Sequence, residues 1–347
     1  VSPSPTLDSA ALRERLQLQL GTTFVISREL GGGGSSRVYL ATESALERPV
    51  VLKVLPPELT VGVDAERFRR EILFAARLQH PHLVPLLSAG SFDDELATSA
   101  VRWYSMPYVD GKTLRELLVQ RGPLPLTEAL RLLRELATAL AYAHARGVVH
   151  RDIKPENVLM SDGLAMIADF GVAKALDDAS DDALRTGKRV TTVSVTLGTP
   201  AYMAPEQVSS AKIVDHKADL YAFGCVAYEL LTGEAPLARP TLRATLAAQL
   251  SEKPVPLLER RRDVPRPIAD VIMRCLEKDP QQRPFSASVI VRELDGLTQP
   301  EAVPNAAPAP VATTDDAPQA ARNAMLIVPL AVVVLIVTIW IIQRTLL

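Results

Sequence analysis

The sequence predicts an α+β protein of two lobes, a small β-rich one followed by a larger helical one, with a single membrane-crossing helix at its C-terminal end. Three observations carry this. Between Phe24 and Val109 short β-branched runs alternate with turns. From Thr113 onward apolar residues recur at helical spacing. Ala324 to Ile342 is a run of 19 residues without a charge.

Taken in order, residues 1–23 read as an N-terminal extension without the charged-then-apolar pattern of a secretory leader. The stretches FVISREL, RVYLAT, RPVVLKVL, HLVPLLSAGSF and VRWYSMPYV read as strands. One helix interrupts them, from an N-cap at Asp64 to Gln79, with Phe68, Ile72, Ala75 and Ala76 on one face. The small lobe is residues 24–109 and the helical lobe residues 110–297. In the latter, Thr127 to Ala145 places Ala129, Leu132, Leu133, Leu136, Leu140 and Ala143 on one stripe, and Gly147 supplies the stop. Residues 298–323 are rich in Pro and Ala with no apolar period, a solvated linker. Residues 324–342 form about 28 Å of helix, close to the ~30 Å of a bilayer core. Pro329 is tolerable there, Trp340 suits the far interface, and residues 343–347 are a short tail. Arg322 and Arg344 flank the run on either side, so charge counting gives no orientation.

The formal charge of −2 lacks the basic excess of a chain built to track nucleic acid, and 48% hydrophobic residues exclude a disordered one. No nucleic-acid partner is expected. The mean hydropathy of +0.12 has a local source in the uncharged run. Cys225 and Cys275 have no Cys or His near them at metal-ligand spacing and read as buried small hydrophobes in a reducing compartment.

Chemistry concentrates at three places. Leu30-Gly31-Gly32-Gly33-Gly34-Ser35-Ser36-Arg37-Val38 joins two strands, and its glycines let backbone N–H groups approach an anion; by itself it is equally a flexible hairpin turn. Lys53, inside VVLKV, must either snorkel outward or meet an anion. Glu71 lies beside the apolar stripe of the following helix and can aim that lysine, with Glu66 a rival nearer the helix start. The decisive segment is His150-Arg151-Asp152-Ile153-Lys154-Pro155-Glu156-Asn157, followed by Asp169-Phe170-Gly171, on connections between the apolar runs VVH, NVLM and AMIADF that read as brief strands. Magnesium takes hard oxygen ligands, usually one or two carboxylates plus substrate phosphates. Asp169 and Asn157 can supply them, leaving Asp152 to orient a hydroxyl and Lys154 to neutralise a phosphate.

The glycine loop, the strand lysine, HRDIKPEN, DFG and the later Met203-Ala204-Pro205-Glu206 together resemble the protein-kinase signature set, over residues 24–297. Lys154 resembles serine/threonine rather than tyrosine kinases, and the compact form with a C-terminal span resembles the eukaryotic-like bacterial receptor kinases. The resemblance implies the two-lobed kinase fold and ATP with Mg²⁺ as cofactors, Mn²⁺ being an alternative. It makes Asp152 the catalytic base, with Lys154 and Asn157 beside it. Lys53 pairs with Glu71 and contacts the α- and β-phosphates, while Asn157 and Asp169 hold the metal. Leu30, Gly31, Gly33, Val38 and Val51 surround the nucleotide. The connection between lobes falls at Tyr104–Gly111, with Met106 as gatekeeper, the Pro107 carbonyl and Val109 N–H facing adenine, and Asp110 near the ribose. Ser36 stands in place of the third loop glycine, and Val51 in place of an alanine beneath adenine.

The resemblance further makes Asp219 the aspartate that braces the catalytic loop, Glu206 and Arg283 a structural ion pair, and Arg151 the receiver of a phosphorylated loop residue. Thr191, Thr192, Ser194 and Thr196 are the phosphoacceptor candidates of the activation segment, and Thr199 belongs to the substrate-docking floor. Expected partners are ATP, protein substrates, a second copy of the chain during autophosphorylation in a dimer, and the membrane. ATP places the lobes on the cytoplasmic side of a cell membrane crossed once. Two other classes compete: a pseudokinase scaffold, which requires a missing catalytic group, and a small-molecule phosphotransferase, which the MAPE segment, the long activation loop and Lys154 disfavour.

Overall fold

The computed structural model describes residues 9–33, 36–55, 70, 72–92, 100–170, 200–209, 211 and 214–296, all within the unit Val1–Gln299. The small lobe is a five-stranded antiparallel sheet of β1 (Phe24–Gly33), β2 (Ser36–Glu43), β3 (Arg48–Leu55), β4 (Ser88–Phe92) and β5 (Val101–Pro107), in the order β1-β2-β3-β5-β4. Alternation gives the sheet two faces. Val50, Leu52, Val54, Tyr39, Val101 and Trp103 face one way into an apolar cluster. Val51, Lys53 and Leu55 face the other, toward the large lobe.

The outer face is covered by a helix that the sequence reading assigned to a plain extension. Helix α1 (Ser9–Leu20) buries Leu12, Leu16 and Leu20 in the cluster with Phe24, Tyr39 and Leu52. Gln17 fixes its exit, donating to the carbonyls of Gly21 and Phe24 and accepting from Ile26 N. Every-fourth-residue leucine was the available signal. The glycine run also differs from a simple turn: Gly31, Gly32 and Gly33 continue β1, paired with Val38, Arg37 and Ser36. Two register shifts bend the strand before them, and Gly31 takes φ +143°, a backbone region open to glycine.

Residues 72–75 are helical, as the reading of Asp64–Gln79 expects, while Glu71 and residues 64–69 lie outside the described residues. HLVPLLSAGSF is a strand only from Ser88, because Pro85 has no donor for a ladder and Val84 N donates instead to Ile167 O.

The large lobe begins with β6 (Lys112–Thr113) and α2 (Leu114–Arg121), whose start is closed by a capping box between Thr113 and Glu116. Helix α3 (Leu126–His144) matches the predicted stripe, with Leu132, Leu133, Leu136 and Leu140 buried. Gly147, at φ +73°, turns the chain out of it. Strands β7 (Val158–Ser161) and β8 (Leu164–Ile167) pair with β6 in a small second sheet. The run VVH forms no strand, because His150 N bonds to a buried carboxylate and Val148 N returns to Ala143 O. Helices α4 (Pro205–Val208), α5 (His216–Thr232), α6 (Leu242–Ser251), α7 (Leu257–Arg260), α8 (Arg266–Cys275) and α9 (Ala287–Gly296) complete the lobe.

Helix α5 is buried along nearly its whole length and is the lobe's central element. It meets α8 where Gly224 has no side chain; a Cβ there would lie 2.8 Å from Cys275 Cβ. Cys225 and Cys275 are free and buried, and burial raises both thiols, that of Cys275 to about 12. Among the described residues no helix is long and apolar enough to cross a membrane; 298–323 and 324–342 lie outside them.

Helix α1 is expected to be part of the small lobe's core. Replacing the fully buried Leu16 with Ala should cost about 2–5 kcal/mol of stability. Urea unfolding read by intrinsic fluorescence checks this; an unchanged midpoint would show that the helix is dispensable.

Candidate active site

Asp219 sits in the first turn of α5 with no exposed surface. Its Oδ2 accepts from His150 N and His144 Nε2, both at 2.8 Å, and its Oδ1 from Arg151 N at 2.7 Å. Burial pushes its carboxyl up, and the His144 bond with the His144 and His150 interactions outweighs that, so it titrates below the usual carboxylate range. Arg151 is thereby held at φ +69°, an uncommon region for a side-chain-bearing residue. His150 donates from Nε2 to Ala168 O at 2.7 Å and accepts at Nδ1 from Asp152 N at 3.1 Å, which fixes its tautomer. Phe170 packs edge-on against the same ring, 4.5 Å between centroids.

These bonds present Asp152 at the mouth of the loop. Its Oδ2 accepts from Lys154 Nζ at 2.7 Å and from Asn157 Nδ2 at 3.0 Å, and its carbonyl accepts from Asn157 Nδ2 at 2.7 Å. With the Asn157 amide nitrogen committed to Asp152, its carbonyl oxygen is turned away and available as a hard ligand. Asn157 O accepts from Ala168 N at 2.9 Å, which brings the segment before Asp169 against the 155–157 turn.

Asp169, at φ +65°, faces the small lobe. Lys53 Nζ donates to its Oδ2 and the Tyr104 hydroxyl to its Oδ1, each at 2.6 Å. Burial raises this carboxyl, and the Lys53 charge with the two hydrogen bonds more than offsets it, leaving it below the usual range. An aspartate and an amide oxygen match the donor set of a magnesium ion completed by phosphate oxygens and water. Among the described residues no cluster of three or more His, Cys, Asp or Glu forms a self-sufficient metal cage.

Above these groups Val51, Val84, Met106 and Ala168 are buried together, with Leu30, Val38, Val109, Leu159 and Met166 partly buried around them. This is the apolar slot in which the sequence reading placed Leu30, Val38, Val51, Met106 and Val109; Val84, Ala168, Leu159 and Met166 are additions. Pro107 ends β5, and Gly31 and Gly33 lie on β1. Asp110 is exposed, its carbonyl accepting from Ser161 Oγ. Gly111 lies so close to β7 that a Cβ would sit 2.0 Å from Met160 O. Arg283 and Glu206 form a two-pronged pair at 2.6 and 2.8 Å. Glu71, Thr191, Thr192, Ser194, Thr196 and Thr199 lie outside the described residues.

One cluster went unread in the sequence. Arg115 on α2 donates to Glu156 at 2.8 Å and to Glu229 at 2.5 Å, and Tyr202 bonds to both Arg115 and Glu229. A carboxylate inside the apolar run VAYELL was its available signal.

A β-rich lobe over a helical lobe, an apolar slot between them and a lysine, two aspartates and an asparagine beneath it define a two-lobed nucleotide phosphotransferase. Comparison with known proteins narrows the class: residues 24–293 match the protein kinase domain model. The chain belongs to the protein kinase family. It is 35% identical over 312 residues to the serine/threonine-protein kinase PknB of Mycolicibacterium smegmatis, covering 89% of this chain and 47% of that one. To the serine/threonine-protein kinase pkn2 of Myxococcus xanthus it is 37% identical over 278 residues, 78% of this chain and 32% of that one. The crystal structure of the M. tuberculosis PknI kinase domain superposes with a TM-score of 0.61 at 30% identity, covering 80% of this chain and 96% of that one. The chain spans about half or less of the length of these curated relatives.

The depressed Asp219 carboxyl sets an acid limit. Above the ordinary aspartate value of 3.8 the group is ionised folded or unfolded and its stabilisation is complete. As pH falls below that value the unfolded chain takes up the proton first, and stability drains until the folded carboxyl protonates. Asp219→Asn should therefore be less stable than wild type near neutrality and lose less on acidification. Urea midpoints from about pH 6 down to about pH 3 check this, and parallel curves would contradict it.

Proposed function

We propose that the protein is an ATP-dependent serine/threonine protein kinase, tethered to a membrane by residues 324–342 with its lobes on the cytoplasmic side. The observation that carries the reading is the convergence of Lys53 on Asp169, and of Lys154 and Asn157 on Asp152, below one apolar slot. The serine/threonine-kinase names of the bacterial relatives support it, as does a lysine two residues after the base.

Adenine enters the slot of Val51, Met106 and Val109, with Pro107 and Val109 supplying backbone contacts, Asp110 the ribose contact, and Gly31 and Gly33 the close approach of β1 to the phosphates. Lys53 holds the α- and β-phosphates and pairs with Glu71. Asn157 and Asp169 would hold Mg²⁺, or Mn²⁺, which supplies charge neutralisation at the phosphates. Asp152 orients the Ser or Thr hydroxyl and accepts its proton, and Lys154 neutralises charge on the γ-phosphoryl group as it passes. Because that group is loosely bonded in flight, catalysis here is mainly positioning and electrostatics. Thr191, Thr192, Ser194 and Thr196 are the proposed sites of autophosphorylation between two copies of the chain, with Arg151 receiving the added charge and Thr199 forming part of the docking floor.

The chemistry is tested with purified protein, Mg·ATP and a generic protein substrate. Asp152→Asn should lower phosphate transfer about 10²–10⁴-fold while leaving thermal unfolding in place. Equal transfer by both proteins, or none by wild type, would overturn the reading. The topology is tested separately by treating intact cells with protease. The lobes should survive until the membrane is permeabilised, and their digestion in intact cells would refute the proposed orientation.

A further inference from the structure

Asp169 has a second anchor, on which the kinase reading makes no demand. Tyr104 lies on β5 directly across from Lys53 on β3. Cross-strand partners project to the same face of a sheet, so the two side chains leave it side by side. They converge on one carboxylate, the ammonium on Oδ2 and the phenol on Oδ1, each at 2.6 Å. The Tyr104 ring has no exposed surface and is packed among Leu55, Ile72, Ala75 and Leu86. Phenylalanine would fill that apolar volume equally well and would bring no hydroxyl that needs a partner. Among the described residues that hydroxyl bonds to Asp169.

We propose that Tyr104 is a positioning residue for the divalent cation: its hydrogen bond fixes the plane of the Asp169 carboxylate so that the remaining lone pairs face the ion shared with Asn157. The inference rests on the kinase reading of the site. Each carboxylate oxygen has two lone pairs, so a hydroxyl bond and a cation coexist on one oxygen. Lys53 also holds this carboxylate, but its positive charge opposes a nearby cation; Tyr104 is a neutral donor and orients without that opposition. Asp169 needs such an anchor because its backbone is in the left-handed region, which persists only where surrounding contacts over-determine it. β5 is a rigid source for one, paired on both sides by β3 and β4.

The test compares the full chain in detergent with Tyr104→Phe, Tyr104→Leu and Tyr39→Phe, the last removing a buried hydroxyl from the sheet's other face. ADP binding is measured calorimetrically in EDTA and across a Mg²⁺ titration, beside thermal unfolding of the metal-free proteins. Wild type and Tyr39→Phe should share one Mg²⁺ dependence. Tyr104→Phe and Tyr104→Leu should bind ADP normally in EDTA but need about tenfold more Mg²⁺ for half of the metal-dependent tightening. The same shift should appear in the Mg²⁺ dependence of phosphate transfer. A normal Mg²⁺ response in either folded Tyr104 variant, or a lowered requirement, would overturn the proposal while leaving the kinase reading intact. A wild-type chain whose ADP affinity ignores Mg²⁺ would overturn the kinase reading and the positioning role with it.

Discussion

The carboxylate of Asp219 is the constraint on which the catalytic loop depends. A buried ion costs several kcal/mol to desolvate, and here three donors at 2.7–2.8 Å offset that cost, each charge-assisted bond contributing about 1.5–3 kcal/mol. Two of those donors are main-chain N–H groups of His150 and Arg151, in a segment with neither helix nor strand to satisfy them. The same interaction therefore stabilises an ion in the core and satisfies two backbone donors of the loop. Because Asp219 lies in the first turn of α5, the positive end of that helix adds to the balance. Arg151 can then occupy φ +69°, and the chain reverses so that Asp152 faces outward.

From that loop, order passes to the small lobe through backbone rather than through long side chains. Val84 N donates to Ile167 O and Ile167 N to His82 O, both at 2.9 Å, so the segment after the residue 72–75 helix is stitched to β8. Gln79 N donates to the Tyr142 hydroxyl on α3, and His82 Nδ1 meets Ala165 O at 2.9 Å. The buried Glu135 accepts from Ala165 N at 2.8 Å behind them. The residues after β8 are Ala168 and Asp169, so the segment that carries the Lys53-paired aspartate is located by contacts from both lobes. That explains how Lys53 of one lobe meets Asp169 of the other at hydrogen-bond distance.

Most of the site was legible because its residues are chemically conspicuous. A lysine among valines, an aspartate and asparagine on a short polar connection, and a glycine run between strands each violate the local pattern and so announce a task. The apolar slot was legible only in part: Leu30, Val38, Val51 and Met106 follow from family likeness, whereas Val84, Ala168 and Met166 look in the sequence like ordinary core and gain a role only through folding. Helix α1 was missed because a surface helix with one narrow leucine stripe, on a chain start otherwise without pattern, gives a weak signal. VVH was overread as a strand since β-branched composition cannot show that the local donors are bound to Asp219 instead. Arg115, Glu156, Glu229 and Tyr202 come from four separate segments, and no spacing rule joins them.

The near-zero charge of the chain becomes informative once the ions are located. Asp152 faces Lys154, Asp169 faces Lys53, Glu206 faces Arg283, and Glu156 with Glu229 faces Arg115. Lys53 and Lys154, the two lysines among the described residues that meet the catalytic-loop and Asp169 carboxylates, are thus each committed to a carboxylate on the protein. On the proposed function an incoming triphosphate would have to bring neutralisation or redistribute these two pairs. A divalent ion held, on the same reading, by Asp169 and Asn157 would supply part of that neutralisation, and Lys53 would share its charge with the nucleotide. The ion would then add cationic capacity to a cleft whose lysines are internally paired, which makes the orientation of the Asp169 carboxylate a determinant of the metal-dependent part of nucleotide affinity.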